Sequence, residues 1–291
     1  MILWAAVFLL AAVLAVCWWG AGIILYPPAM SPMLVFPEQF GLAYERFVFN
    51  TTDGLQLKGW FLPSPSGDKR TLLMCHGWGD NKGELLRQTY FLNENAGFNL
   101  CYFDFRSHGE SEGEITTIGG LETRDFDAAV AWLRANKPDL SDRVGVFGLS
   151  MGAAVTVASM PNHPDLRCAV VESPFSDYQG VIRRWAWNHL KVPKFPFIDV
   201  VLWMLRARVG DSKIDQFNPV EAAGRIAPRP LLVIGGECDD LMPVEDVRRV
   251  FAAAREPKKL WIVPGAFHAK CREAGGQEYE TRVSEFFARN L

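Results

Sequence analysis

The chain has 291 residues, enough for one large domain or two small ones. Its formal net charge of −3 gives no reason to expect a nucleic-acid partner. The spacing of its six cysteines fits neither a disulfide scaffold nor a zinc site, so we expect free thiols in a reducing compartment.

The first predicted element is an apolar helix over residues 1–26, which contain no charged side chain. A helix needs roughly 20 apolar residues to cross a bilayer. Trp18, Trp19 and Tyr26 are typical of the membrane interface, and the Pro-Pro pair that follows would end the helix. We therefore expect a single-pass membrane anchor, rather than a cleaved signal peptide or a buried core helix. The sequence leaves its orientation open, although the expected free thiols favour a domain on the cytoplasmic side.

After a Pro-rich linker at 27–43, the segments 44–50 and 55–63 flank an Asp-Gly turn and predict a β-hairpin. From residue 71 onward, short apolar strands alternate with amphipathic helices, which indicates a parallel sheet covered on both faces. We predict an α/β domain over 44–291, with a mostly parallel central sheet and the antiparallel hairpin at one edge. The predicted strands lie at 71–75, 99–103, 143–147, 168–171, 231–234 and 260–263, and the helices at 82–96, 119–136, 151–160, 244–255 and 277–289.

The segment at about 174–218 interrupts this alternation. It is too long for a structureless loop and is rich in aromatic residues, so we predict a small helical cap inserted in the domain. Its excess of basic over acidic residues would attract anionic head groups. We expect four of its aromatic side chains to line a substrate pocket: Trp185, Trp187, Phe195 and Trp203.

A G-x-S-x-G pattern at residues 148–152 places Ser150 between a predicted strand and a predicted helix. A serine in this context occupies a sharp turn with its hydroxyl exposed, and the helix N-terminus favours negative charge nearby. The context predicts that Ser150 is a nucleophile, rather than part of a chance Gly/Ser turn.

A serine nucleophile needs a base, and the base needs an acid to orient it. In hydrolases with this serine turn, the order along the chain is serine, acid, histidine. His268 follows the strand at 260–263 and is the one histidine beyond residue 189, so we predict that it is the base. Glu237, Asp239 and Asp240 follow the strand at 231–234 and compete as the acid, with Glu172 as an outside alternative.

The tetrahedral oxyanion of acyl transfer needs preorganised N–H donors. We predict the backbone amides of Met151, directly after the nucleophile, and Trp78, in the loop after the first parallel strand. His76 and His108 lie in glycine-rich loops, where a hydrogen bond that stabilises a turn is the expected role.

Taken together, these motifs resemble the α/β-hydrolase superfamily, and within it the serine aminopeptidase-like and BEM46-like group. The resemblance covers about residues 44–291 and implies the α/β-hydrolase fold. It favours Asp239 as the acid, because Asp239 occupies the acid position of the G-x-x-D-x-x-x-P loop. Members of the group are often tethered by an N-terminal membrane helix. The matching motifs are HG-x-G at 76–79, D-x-R-x-x-G-x-S at 104–111 with Ser107 in place of the usual glycine, G-x-x-D-x-x-x-P at 236–243 and G-x-x-H at 265–268.

The resemblance implies a membrane-anchored serine hydrolase with no metal and no organic cofactor. We expect a small-molecule or lipid-like carboxylic ester as substrate, cleaved through an acyl-enzyme on Ser150. A peptidase or thioesterase of the same fold is the alternative within enzymes. A non-catalytic membrane-bound binding or scaffold protein is the alternative of another class, and nothing in the sequence favours one oligomeric state.

Overall fold

A computed structural model of the chain describes residues 2–26, 31–191, 197–210 and 217–291. One eight-stranded sheet has the spatial order β1-β2-β4-β3-β5-β6-β7-β8. β1 pairs antiparallel with β2 and β2 pairs antiparallel with β4, while the other neighbouring strands are parallel. The sheet confirms the predicted α/β-hydrolase fold with its leading hairpin. The strands are β1 Glu45–Asn50, β2 Gln56–Leu62, β3 Thr71–Cys75, β4 Asn99–Phe103, β5 Val144–Leu149, β6 Cys168–Glu172, β7 Leu231–Gly236 and β8 Lys258–Val263.

Helices cover both faces of the sheet. α4, α5 and α9 pack on one face, and α2, α3 and α10 pack on the other. β3, β4, β5 and β6 are buried along their whole length, as expected for parallel strands between two helical layers. The helices are α1 Ile2–Leu25, α2 Lys82–Thr89, α3 Phe91–Glu94, α4 Glu122–Asn136, α5 Met151–Ser159, α6 Tyr178–Leu190, α7 Asp199–Val209, α8 Pro219–Ala223, α9 Val244–Ala253 and α10 Cys271–Asn290.

Two predicted helices differ most from those in the structure. The helix predicted at 82–96 is divided into α2 and α3. The last helix begins at Cys271, six residues before its predicted start at 277. Gly276 interrupts that helix with φ 50° and ψ −132°, a conformation that costs glycine little, so the amphipathic pattern becomes regular only beyond it.

The described part of the predicted linker, residues 31–43, packs against the sheet domain. A short 3₁₀-helix runs from Pro37 to Phe40. The ring of Phe36 lies 5.7 Å from that of Trp60, and the ring of Phe40 stacks on Tyr90 at 4.7 Å. These aromatic contacts fix the position of the described linker residues on the domain.

α1 is long and apolar enough to cross a membrane, with a mean hydropathy of 2.4 over Leu3–Leu25. Signal sequences and core helices can meet the same criteria of length and composition. Most of its N-terminal half is exposed, whereas Cys17, Ala21, Ile24 and Leu25 are buried. The C-terminal half packs on α7 and thereby on the cap.

The described residues of the predicted cap form α6 and α7, and Arg184 of α6 binds them to the sheet domain. Its Nε donates to the carbonyl oxygen of Leu241 at 2.7 Å, and its guanidinium pairs with the buried Asp246. Leu241 lies in the loop after β7, so the cap is held directly beside that loop.

Candidate active site

Ser150 occupies the turn between β5 and α5, with φ 53° and ψ −113°. This region of φ is costly for a residue other than glycine and persists only where the surroundings impose it. The backbone amide of Ser150 donates to the carbonyl oxygen of Glu172 at 2.8 Å, which holds the turn on β6. The structure thus places the hydroxyl at the C-terminal ends of the parallel strands, where ligands bind in open α/β sheets.

The two glycines of the motif are required by crowding. A Cβ atom at Gly152 would lie 2.2 Å from the carbonyl oxygen of Cys75, and one at Gly148 would lie 2.5 Å from that of Gly152. Both contacts are with backbone, which cannot move aside without shifting α5 or β3. The motif therefore reflects the close approach of helix and sheet that forms the turn.

The structure brings the three predicted triad residues together. His268 Nε2 lies 3.0 Å from Ser150 Oγ, and His268 Nδ1 lies 2.8 Å from Asp239 Oδ2. The loops carrying the acid and the histidine are joined by a 2.9 Å hydrogen bond from Cys238 N to Ala266 O. Ser150 and Asp239 are buried, with exposures of 8% and 4%.

The carboxylate of Asp239 is held by three further donors. The backbone amides of Leu241 and Met242 donate to Oδ1 at 3.1 and 2.7 Å. The hydroxyl of Ser173 donates to Oδ2 at 3.0 Å. Sequence reasoning missed Ser173, although its position directly after β6 was a signal that it lies at the same edge of the sheet.

The competing acids have other roles. Glu172 is buried, accepts hydrogen bonds from Tyr279 Oη at 2.5 Å and Cys271 N at 3.3 Å, and has a pKa raised by burial. Glu237 accepts from the backbone of Gly265 at 2.9 Å. Asp240 is exposed. Asp239 is the one of these four carboxylates that pairs with His268 among the described contacts.

The loop that carries Trp78 lies beside the nucleophile. A Cβ atom at Gly77 would lie 3.4 Å from Cβ of Ser150. Among the described residues, no hydrogen bond is made by the backbone amide of Trp78, which follows Gly77, or by that of Met151, which follows Ser150. Both amides are therefore free to donate, as oxyanion donors must be.

His76 and His108 hold this loop in place. His76 Nδ1 donates to Gly77 O at 2.7 Å, and His76 Nε2 accepts from Phe105 N at 3.0 Å. His108 Nε2 accepts from Gly79 N at 3.1 Å. Burial lowers the pKa of both imidazoles, which keeps them neutral so that each has one donor and one acceptor nitrogen. Their role is the expected stabilisation of a turn.

The loop at 104–111 is fixed by buried charges. Asp104 pairs with the fully buried Lys82. The guanidinium of Arg106 lies 2.6 Å from the buried Asp125 and 2.8 Å from Asp53. Ser107 has φ 60°, which explains why glycine is usual at this position of the motif.

Above Ser150 and His268 lies a cavity of about 210 Å³. Its walls come from the sheet domain, the cap and α1. Most of its described lining residues are apolar, and none of them carries a carboxylate. Its apolar lining includes Ile24, Ile118, Phe175, Val181, Ile182 and Met242.

The predicted pocket aromatics are only partly correct. Trp185 lines the cavity. Trp187 and Trp203 are 51% and 65% exposed and line no part of it, so that prediction is wrong for both. Trp187 follows Trp185 by two residues, which turns its side chain about 200° around the helix, away from the cavity. Phe195 lies outside the described residues.

Comparisons with known proteins agree with this fold. The family model of X-Pro dipeptidyl-peptidase (S15 family) matches residues 59–189, which include Ser150 but neither Asp239 nor His268. The structure of the Pyrococcus furiosus esterase Pf2001 superposes with a TM-score of 0.76 at 28% identity, over 92% of this chain and 98% of that one. The uncharacterised protein YqkD of Bacillus subtilis is 26% identical over 82% of this chain and 78% of its own length. The Arabidopsis thaliana α/β-hydrolase domain-containing protein WAV2 is 23% identical over 84% of this chain and 79% of its own length.

The sheet order, the serine turn and these likenesses define a hydrolase of the α/β fold. The likenesses to an esterase structure and to an α/β-hydrolase domain-containing protein support the α/β-hydrolase superfamily for this chain.

Proposed function

We propose that the chain is a membrane-anchored serine hydrolase that cleaves carboxylic esters. The observation that carries the proposal is the hydrogen-bonded series Ser150–His268–Asp239 at the base of an apolar cavity. The likeness to an esterase structure supports the choice of reaction.

The distances fit acyl transfer. His268 Nε2 accepts the proton of Ser150 Oγ as that oxygen attacks the ester carbonyl carbon. Asp239 stabilises the resulting imidazolium through Nδ1–H. The amides of Trp78 and Met151 donate to the oxyanion. His268 then protonates the leaving alkoxide, and a water activated by His268 hydrolyses the acyl-enzyme to a carboxylic acid.

A dipeptidyl-peptidase is the second candidate, because the matched family model has that description. Such a reaction requires recognition of a peptide amine, which is a cation at neutral pH. The described lining of the cavity contains no carboxylate to pair with it. This lack of a counter-charge favours the ester.

Steady-state hydrolysis of p-nitrophenyl acetate and of an Xaa-Pro p-nitroanilide tests both candidates. We expect the wild type to hydrolyse the ester in preference to the anilide, and Ser150→Ala to abolish ester turnover. Ser159→Ala is the matched control, because Ser159 is a buried serine of α5 outside the cavity lining. Ester turnover retained by Ser150→Ala, or absent from folded wild type, would reject the proposal. Preference for the anilide would select the peptidase.

The anchor and its orientation form a separate part of the proposal. The described chain contains free cysteines, of which Cys238 is exposed and the other five are buried. We propose that the domain faces the cytoplasm, where thiols stay reduced. In sealed cells, a membrane-impermeant maleimide should label Cys238 only after lysis, with Cys238→Ser as the control. Labelling before lysis would reject this orientation.

A further inference from the structure

The C-terminal part of α1 forms part of the active-site wall. Ile24 lines the catalytic cavity. Trp18, Trp19, Gly22 and Ile23, which precede it in α1, line a second cavity of about 860 Å³. The helix that resembles a membrane anchor therefore contributes side chains to both cavities.

The two cavities adjoin each other. Trp78, Trp185 and His189 line both of them. The rings of Trp78 and Trp185 meet edge to face at 5.7 Å, and the imidazole of His189 stacks on Trp185 at 5.0 Å. These three side chains separate Ser150 from the second cavity, and a substrate that reaches past them would occupy both spaces.

Specific contacts fix α1 beside the site. Nη2 of Arg208 donates to the carbonyl oxygen of Trp18 at 2.7 Å, and its guanidinium carbon lies 3.5 Å from the centroid of the Trp18 ring. At the end of the helix, Thr116 N donates to Leu25 O at 3.0 Å. α1 is thus docked on the cap and on the sheet domain, and is more than a tether joined through a loose linker.

The cavity sizes indicate how a substrate would be divided between them. Pockets that enclose a drug-sized ligand typically measure about 300–1,000 Å³. The catalytic cavity, at about 210 Å³, is below that range and holds only the reacting end of an ester. The second cavity, at about 860 Å³, is open to its surroundings, since Trp18, Trp19 and Tyr26 are each more than half exposed. Its described lining consists mainly of indole rings and aliphatic groups. Such a lining favours an alkyl chain.

We propose that the second cavity binds one long alkyl chain of the ester, and that this chain reaches Ser150 along α1, past Trp78 and Trp185. The proposal rests on the proposed ester hydrolysis and names its substrate class as amphiphilic esters with a single long chain. α1 is also the described helix that could span a bilayer. In a membrane, its exposed N-terminal half would lie among lipid chains, and the second cavity would lie at its C-terminal end.

The test fills the second cavity from α1. A Cβ atom at Gly22 would lie 3.4 Å from Nη1 of Arg208, the end of a flexible side chain, so Gly22→Leu places its side chain in the cavity without a backbone clash. Ile23→Trp is a second filling variant at the next lining position. Ala12→Leu is the matched control, because Ala12 is an exposed residue of α1 that lines neither cavity.

Two pairs of substrates show whether the long alkyl chain belongs to the acyl group or to the alcohol of the ester. The protein is assayed in lipid nanodiscs. The first pair is p-nitrophenyl laurate and p-nitrophenyl acetate, which differ in the acyl chain. The second is dodecyl acetate and ethyl acetate, which differ in the alcohol. The measured quantity is the ratio of kcat/KM for the long ester to that for the short one.

We expect wild type and Ala12→Leu to prefer the long ester in at least one pair. Each filling variant should lower that ratio about tenfold or more, because several methylene groups lose their apolar environment. Equal ratios in the wild type, Gly22→Leu and Ile23→Trp for both pairs would overturn the inference while ester hydrolysis stands. No turnover of any ester by folded wild type would reject the proposed function itself.

Discussion

The hydroxyl of Ser173 donates a hydrogen bond to Oδ2 of Asp239, the same carboxylate oxygen that lies 2.8 Å from His268 Nδ1. Ser173 is therefore a positioning residue for the acid. We predict that Ser173→Ala lowers kcat about tenfold with little change in KM, because a hydrogen bond to a charged group contributes about 1.5–3 kcal/mol. Steady-state kinetics on a short ester measures this split.

Ser176→Ala is the matched control for Ser173→Ala. Ser176 is also buried and donates to a buried carboxylate, that of Asp246, at 2.9 Å. Asp246 does not contact His268, so this variant should alter stability more than kcat. Equal losses of kcat in both variants would show that the effect of Ser173→Ala is general loosening of the fold.

Two adjacent aspartates offer a test of the acid. Asp239→Asn should lower kcat by about 10³-fold or more, because the amide no longer stabilises the imidazolium. Asp240→Asn should leave kcat within a factor of about two, since Asp240 is exposed and substitutions at exposed residues usually have small effects. A large loss of kcat in Asp240→Asn with a small loss in Asp239→Asn would show that Asp239 is not the acid.

The buried charges of the loop at 104–111 predict an unequal pair of stability effects. Arg106→Met should lower the free energy of unfolding by about 3–5 kcal/mol, because it leaves Asp125 buried without its partner. Arg134→Met removes a half-exposed pair with Asp165 and should cost about 0–1 kcal/mol. Urea unfolding of both variants measures the difference, and equal losses would contradict it.

Asp80, next to the loop that carries Trp78, predicts a pH effect on stability. Burial, together with the charges of Glu84 and Asp104, raises the pKa of Asp80 to about 7. The pKa of an unfolded aspartate is about 3.9, so the native state binds the proton more tightly and stability falls as pH rises between about 4 and 7. Asp80→Asn has no carboxyl group at this position to ionise, so its stability does not fall in this way. Its Tm relative to wild type should therefore rise across that window, by the equivalent of about 1–3 kcal/mol.

Thermal unfolding at pH 5 and pH 8 checks this sign. The difference in Tm between Asp80→Asn and wild type should be larger at pH 8. A difference that is constant with pH, or larger at pH 5, would show that the carboxyl of Asp80 is not held in its neutral form by the fold.

Much of the site could be predicted from the sequence because its residues follow strands. Ser150, Asp239 and His268 each lie in a loop after the carboxyl end of a parallel strand, and such ends meet at one edge of the sheet. Crowding requires glycine at positions 148 and 152, so the serine motif reflects the local geometry directly. The leading hairpin was equally accessible through its Asp-Gly turn.

The remaining features depend on contacts between segments distant in the chain. The hydrogen bond from Ser173 to Asp239 joins residues 66 positions apart, and the sequence around neither residue indicates it. The orientation of Trp187 and Trp203 depends on which side of each cap helix faces the domain. The docking of α1 on α7 is hidden for another reason, since its uniformly apolar sequence marks no preferred face.

Covalent labelling with a fluorophosphonate tests the central claim most directly. After reaction of the full-length protein, mass spectrometry of its peptides should locate one adduct on Ser150. The adduct should be absent from Ser150→Ala and formed far more slowly by His268→Ala. An adduct on another residue, or none on folded wild type, would contradict the assignment of Ser150 as the nucleophile.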